Sequence, residues 1–573
     1  MQGPKTTFAQ RLHAEKYRAP GETFREAMSR IAGALTADTT SFQNLRQILL
    51  DMRFMPGGRI QAAVGSTKNV TPYNCFVSGK IEDSFVSGHG SIMDRAKEAA
   101  QTMRMGGGIG YDFSTLRPRG ARIKKLGSHS SGPIAFMDIF DAVCRCTASS
   151  GHRRGAQMGV LRVDHPDVEE FIHSKQEQGR LTGFNISLAV TDDFMRAVEQ
   201  DEMFPLQWGG EVYREVKARN LWDAIMRSTW DWAEPGVLFI DRIKSMNNLH
   251  YCEEIVATNP CGEQPLPPHG ACLLGSFNLT RYVAKVEGSF HFDFALFRQD
   301  IPRVVEAMDM VVDVATYPLE EQEREAHSKR RMGLGVTGLA NAIEAIGFPY
   351  GSEGFLNVQR DILTVLRDEA YLASALLAQR KGSFPAFNAD KYMAGQFINT
   401  LPPHVRREVA RGVRNSHLLS IAPTGTISMC ADNISSGIEP VFSHKVEREV
   451  IMPEGKILVE LEDYGVAHFG VEGRTVEEVT PREHLDVLAV ASDFVDSSVS
   501  KTINVPESTS WEDFKGVYTK AWALGAKGCT TFRAAGKRMA MMEAAAKGGE
   551  EAEEEAVAAT CRIDRETGRR ECD

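Results

Sequence analysis

Apolar residues recur along this chain at two alternating periods. In RDILTVLRDEAYLASALLAQRKG (360–382), Ile362, Leu366, Ala370, Ala373 and Leu377 fall on one face at steps of three and four. That spacing predicts an amphipathic helix, with Gly382 as its stop. Residues 1–50 predict a short helical segment. From 51 to about 540, helical stretches alternate with apolar β-branched ones, the pattern of one large α/β domain. Past 541 the pattern lapses. MEAAAKGGEEAEEEAVAAT (542–560) has almost no large apolar residue, so 541–573 predicts a flexible acidic tail, which nevertheless carries Cys561 and Cys572.

Glycine and proline concentrate between these elements, in MPGGR (55–59), MGGGIG (105–110), SSGHRRGAQMG (149–159) and APTGTIS (422–428), all read as short loops. The longest interruption is TNPCGEQPLPPHGACLLGSFNL (258–279), which sets Cys261 between Pro260 and Gly262, two residues before Glu263, and returns to cysteine at Cys272. Such a stretch forms neither helix nor central strand. It predicts an irregular loop presenting a thiol beside an acid, as a nucleophile or radical carrier with a nearby base requires.

Composition narrows the class. The 573 residues are 42% hydrophobic and 25% charged, as in a globular protein, with no signal-like N-terminus and no apolar run of membrane-spanning length. Lys and Arg total 66 against 76 Asp and Glu, a net charge of −10, which argues against nucleic-acid binding but permits a local pocket for one nucleotide. Ten scattered cysteines suit a cytoplasmic protein with reduced thiols. Cys144, Cys146, Cys252, Cys430 and Cys529 read as structural. A zinc site built from Cys261 and Cys272 with His250, Cys252 and His269 lacks the close cysteine pair that zinc usually selects, so no metal is expected.

The other loops are less specific. GGGIG (106–110) lacks the spacing of a dinucleotide fingerprint, leaving a tight turn or a bare backbone that something approaches closely. PTGTIS (423–428) is either a nest for an anion or a Ser/Thr-rich helix cap.

Taken in order, PYNC (72–75), NPCGE with a second cysteine eleven residues on, PTGTIS and KGCTTFR (527–533) resemble a ribonucleotide reductase over roughly residues 50–540. The resemblance implies a ten-stranded α/β barrel of two antiparallel five-stranded halves, with Cys261 carried on a central finger. The chain has no Tyr-Tyr pair and no glycyl-radical segment, and KGCTTFR runs on into AAGKR. These features resemble class II, whose radical comes from adenosylcobalamin, although no cobalamin-contacting residue is legible. A class I large subunit with a radical-generating partner, or a non-catalytic homologue, are the alternatives.

The same resemblance supplies roles. Cys261 would carry the thiyl radical, Glu263 would act as base for the ribose 3′-hydroxyl, and Asn259 would hold the sugar hydroxyls. Cys75 and Cys272 would reduce C2′ and end as a disulfide. Thr424, Gly425, Thr426 and Ile427 would hold the phosphates, with Asn74 and Gly108 opposite. Cys561 and Cys572 would pass reducing equivalents in from thioredoxin or a glutaredoxin-like donor. Asp83, Ser84 and Arg117, with Arg154 in HRRGA (152–156), would bind or report a deoxynucleotide effector at a homodimer interface. The family's separate N-terminal activity domain is not expected, because Cys75 comes too early.

Overall fold

The computed structural model describes residues 2–124, 126–149, 153–177, 179–452, 455–533, 562–563 and 570–571. Cys561 and Cys572 lie outside them, as does the Arg154 side chain.

The helical N-terminal segment comprises three helices, Thr7–Tyr17, Phe24–Leu35 and Thr39–Leu50. Each is started by a side-chain cap, and Thr23 with Glu26 closes a full capping box. The buried faces of the second and third, Ile31 and Ile48 among them, merge into the main core. The amphipathic helix predicted around 360–382 runs Glu353–Lys381, capped by Ser352 and ended at Gly382 with φ +83°. Ile362, Leu366, Ala370 and Leu377 are each at most 1% exposed.

The centre is a nine-stranded mixed sheet. Five strands, Cys75–Val77, Gly108–Asp112, Gln157–Arg162, Phe184–Val190 and Gly236–Phe239, run parallel in that order. At one end Cys75–Val77 meets Ala271–Asn278 antiparallel; at the other Gly236–Phe239 meets Gly528–Cys529 antiparallel. Ala271–Asn278 also pairs antiparallel with Phe54–Pro56 and parallel with Met332–Thr337. Phe184–Val190, Ala271–Asn278 and Met332–Thr337 are buried at every residue, as strands covered on both faces must be. Beyond the nine strands, single-residue bridges join Leu334 to Leu419 and Ile421 to Val499, and Ile503–Val505 pairs with Thr531–Arg533. Among the described residues, continuous ladders give nine strands and not a closed ring of ten.

Two expectations need correction. The segments read as loops at 55–59, 105–110, 149–159 and 422–428 each run into a regular element: strand Phe54–Pro56 and helix Gly58–Ala63, strands Gly108–Asp112 and Gln157–Arg162, and helix Gly425–Cys430. The interruption read over 258–279 ends in the central strand Ala271–Asn278. Local composition marks the turn but not where pairing resumes. Cys144, Cys430 and Cys529 are buried as expected, whereas Cys146 and Cys252 are exposed and pack in no core.

Candidate active site

The loop that opens the chemical question is a finger. Ala257–Thr258 pairs antiparallel with Pro265–Leu266, and residues 259–264 form the tip. The tip closes on itself through Asn259 N–H to Gln264 O (3.1 Å), Gln264 N–H to Asn259 Oδ1 (2.9 Å) and Gly262 N–H to Asn259 O (3.1 Å). It is pinned from two sides. Asn185 Nδ2 donates to Pro260 O at 2.9 Å from the parallel strands, while Ser420 Oγ and Ser498 N–H both donate to Glu263 O at 3.0 Å.

The glycine stretch explains how the finger fits. A Cβ on Gly110 would stand 1.8 Å from Thr258 O, and one on Gly108 would touch Pro260 Cγ at 3.0 Å. What approaches the bare backbone at Gly110 is the finger itself. A backbone oxygen that close cannot be moved aside by a rotamer change, so the position requires glycine.

A cavity of about 170 Å³ surrounds the finger tip. Asn74, Cys75, Gly108, Asn259, Cys261, Glu263, Thr424, Gly425, Thr426 and Ile427 all line it, so residues spread over some 350 positions of sequence converge there. Asn74 Oδ1 is buried with no protein partner. Thr424 adopts φ +57° at the start of helix Gly425–Cys430, its hydroxyl bonded to Thr337 Oγ1 (2.9 Å) and accepting from Gly437 N–H (2.8 Å). The start of helix Gly425–Cys430 thus faces the cavity, and a helix N-terminus favours an anion.

Electrostatics differ along the cavity. Glu263 is 1% exposed, and burial pushes its carboxyl up to about 7, only partly opposed by hydrogen bonding from Asn259. Its Oε2 has no partner. A carboxylate poised near neutrality suits proton transfer. Cys75 Sγ lies 3.8 Å from Glu263 Oε1 and accepts from Asn259 Nδ2 at 3.1 Å. Cys75 and Cys272 are direct cross-strand partners in the register of the two antiparallel strands, both reduced and buried. Cys261 is half-exposed at the tip.

Cavity residues that sequence reasoning missed come from the N-terminal helix and the MPGGR turn: Lys16, Tyr17, Gly57 and Arg59. Gly58 lies under the Tyr17 ring, where a Cβ would come within 2.6 Å. The clustered glycines at 57–58 were the only signal; nothing local marks Lys16 or Tyr17. Of the expected effector residues, Arg117 Nε binds Asp83 Oδ2 at 2.6 Å, and the Arg117 amide donates to Asp83 Oδ1 at 3.2 Å. Ser84 Oγ accepts from Ser87 N–H at 3.2 Å. None of the three lines the cavity.

The family model for the ribonucleotide reductase barrel domain matches residues 73–470 and 472–532. A vitamin B12-dependent ribonucleoside-diphosphate reductase of Mycobacterium tuberculosis is 33% identical over 93% of this chain and 79% of its own length. One of the same name from Thermoplasma acidophilum is 32% identical over 93% of this chain and 70% of its own. The ribonucleoside-diphosphate reductase large subunit of Caenorhabditis elegans is 25% identical over 79% of this chain and 66% of its own length. With the finger, Cys75 and the turn at 424–427 on one cavity, and the family model matched over most of its length, this chain belongs to the ribonucleotide reductase family.

Proposed function

We propose that the chain is an adenosylcobalamin-dependent ribonucleotide reductase acting on ribonucleoside diphosphates or triphosphates. The observation that carries this reading is the meeting of Cys261, Glu263, Asn259 and Cys75 on one cavity, with Cys272 directly behind Cys75. The relatives whose names specify vitamin B12 support the choice of cofactor.

The fingertip fits a large group on its outer side. A Cβ on Gly262, where φ is +82°, would meet nothing within 4 Å, and Cys261 beside it is half-exposed. The open side of the tip at Cys261 and Gly262 would hold adenosylcobalamin, which would supply the radical that makes the Cys261 thiol a thiyl. Cys261 then removes hydrogen from C3′ of the ribose, and Glu263 accepts the 3′-hydroxyl proton. Asn259 and Asn74 orient the sugar, while Gly108 leaves room for it; the amides of Gly425, Thr426 and Ile427 receive the phosphates behind Thr424. Cys75 protonates the departing 2′-hydroxyl. Cys75 and Cys272 together give up two electrons and two hydrogens, so C2′–OH becomes C2′–H, water leaves and the two sulfurs join, while Glu263 returns the proton to the 3′ oxygen and Cys261 the hydrogen to C3′.

The tail, 541–573, acts as the redox arm, in which Cys561 and Cys572 reopen that disulfide and are themselves reduced by thioredoxin or a glutaredoxin-like donor. Strand Arg570–Glu571 supports this role, since it lies beside helix Gly425–Cys430 at the cavity wall. It pairs with Arg562–Ile563, joining the segments next to the two cysteines. The Asp83–Arg117 pair, Ser84 and Arg154 form the deoxynucleotide effector site of a homodimer. Phe85 and Val86, exposed by 51% and 64% directly after Asp83 and Ser84, and Met93, exposed by 41% in the next helix, support an interface there. The frame is a ten-stranded barrel. The single bridges through Leu419, Ile421 and Val499 and the Ile503–Val505 pairing support further strands beside Ala271–Asn278 and Met332–Thr337, beyond the five parallel ones.

The test is anaerobic incubation of the protein with a ribonucleoside diphosphate, adenosylcobalamin and dithiothreitol, with no second subunit. Deoxynucleotide should form. Formation only with an added radical-generating protein would favour a class I large subunit, and formation under neither condition a non-catalytic homologue.

A further inference from the structure

The cysteine pair is asymmetric, and the asymmetry has a structural origin. Cys75 lines the cavity, whereas Cys272 is 0% exposed and is absent from the cavity wall. An entering thiol therefore meets Cys75 first. Behind it, Ala271–Asn278 runs between two partners. One is Cys75–Val77, which places Cys75 opposite Cys272. The other is Met332–Thr337, whose register begins at Leu273 opposite Met332. One step back along both strands sets Cys272 level with Arg331.

Arg331 is 3% exposed, and its Nη2 donates to both oxygens of Glu253 at 2.7 Å. Lys329 Nζ also reaches Glu253, at 2.8 Å, and Glu325 at 2.6 Å. Four charges of balanced sign thus hold a buried guanidinium beside a buried thiol. The other groups facing Cys272 are the carboxyls of Asp496 and Glu263. Burial pushes both thiols of the pair far above the usual cysteine range. Against burial, Arg331 pulls Cys272 down while Asp496 and Glu263 push it up; at Cys75, Glu263 pushes up and the Asn259 amide pulls down, and among the described residues no cation acts there.

We propose that Arg331 is a positioning residue that makes Cys272 the leaving sulfur when the Cys75–Cys272 disulfide is reopened. This rests on the redox-pair reading above. An incoming thiolate, from the tail or a small dithiol, bonds to Cys75 Sγ. The Cys75–Cys272 bond breaks and its electron pair goes to Cys272 Sγ, beside the guanidinium. The second thiol of the reductant, as thiolate, then attacks its own sulfur in the mixed disulfide. Cys75 leaves as a thiolate and takes a proton, Cys272 takes another, and the dithiol is oxidised by two electrons. Exchange is faster when the leaving thiol is the more acidic one, so the guanidinium accelerates cleavage in one direction of attack.

The test oxidises the whole protein with diamide, confirms the Cys75–Cys272 bond by peptide mass spectrometry, and follows its reduction by dithiothreitol between pH 6 and 9. Parent is compared with Arg331→Lys and with the double variant Arg331→Gln/Glu253→Gln, which removes both charges together and leaves no unpaired Glu253. Without the cation the leaving thiol is less acidic, which predicts severalfold slower reduction in the double variant. Arg331→Lys should recover most of the loss, a rescue that a merely structural role would not give. Quenched reaction with glutathione should place the first adduct on Cys75. Equal rates in all three proteins across the pH range, or an adduct on Cys272, would overturn the role of Arg331. A different disulfide in the oxidised parent would overturn the redox pair itself and this inference with it.

Discussion

Glu263 should make the protein less stable where it makes it active. Its carboxyl moves from an ordinary 4.5 to about 7 because the folded chain buries it with one oxygen unpartnered. The folded state therefore binds a proton that the unfolded state has released between those values, and stability falls as pH rises from about 4.5 to about 7. Above that window the full cost of burying the charge is present. At about 1.4 kcal/mol per pH unit, it amounts to about 3 kcal/mol. Because the side chain is 1% exposed, solvent screening takes little away. Glu263→Gln keeps the shape and cannot ionise. For 573 residues the entropy of unfolding is about 1.2 kcal/mol/K, so the variant should melt about 2–3 °C above the parent at pH 8 and level with it near pH 4.5. Comparing the two pH values isolates the charge, since any packing difference is common to both. Scanning calorimetry on parent and variant measures this, with deoxynucleotide formation assayed alongside and expected to drop by at least about a hundredfold. A melting difference that is the same at both pH values, or a variant less stable at pH 8, would refute the reasoning.

Other consequences follow from the same geometry. Cys261→Ser should abolish deoxynucleotide formation while substrate affinity by equilibrium dialysis stays within about twofold, because a hydroxyl hydrogen is too strongly bound for the cofactor radical to remove. Gly110→Ala drives a methyl into Thr258 O, 1.8 Å from its ideal position, so it should displace the finger and cost about 3 kcal/mol or more in denaturant unfolding, with activity lost. Asp83→Ala breaks the pair with Arg117 and should blunt the effect of added deoxynucleoside triphosphates on base preference more than it lowers the best rate. Serine at both Cys561 and Cys572 should nearly abolish turnover with thioredoxin and spare it with dithiothreitol, which diffuses into the cavity unaided.

What the sequence disclosed and what it withheld divide along a physical line. The helix around Ile362 to Leu377 was legible because a single period fixes its buried face, and Gly382 ended it where expected. The tip of the finger, 259–264, was legible from its proline and glycine, but the strand Ala271–Asn278 that follows was not. Cys75 paired with Cys272 was expected only through the family resemblance, since the register between strands almost two hundred residues apart is decided by packing across the sheet, not by local composition. Lys16 and Tyr17 were missed for the same reason. They sit on an ordinary helix, and only the fold carries them to the cavity. Nothing local marks Arg331 either; the parallel register buries it beside a thiol.

The most direct test of the chemistry is a single turnover without any reductant. Fully reduced protein, adenosylcobalamin and a ribonucleoside diphosphate are mixed anaerobically and quenched. Deoxynucleotide is then counted against disulfides mapped by peptide mass spectrometry. The account predicts about one product and one Cys75–Cys272 disulfide per active site, and neither in Cys261→Ser. Product formed while Cys75 and Cys272 both remain thiols would contradict it.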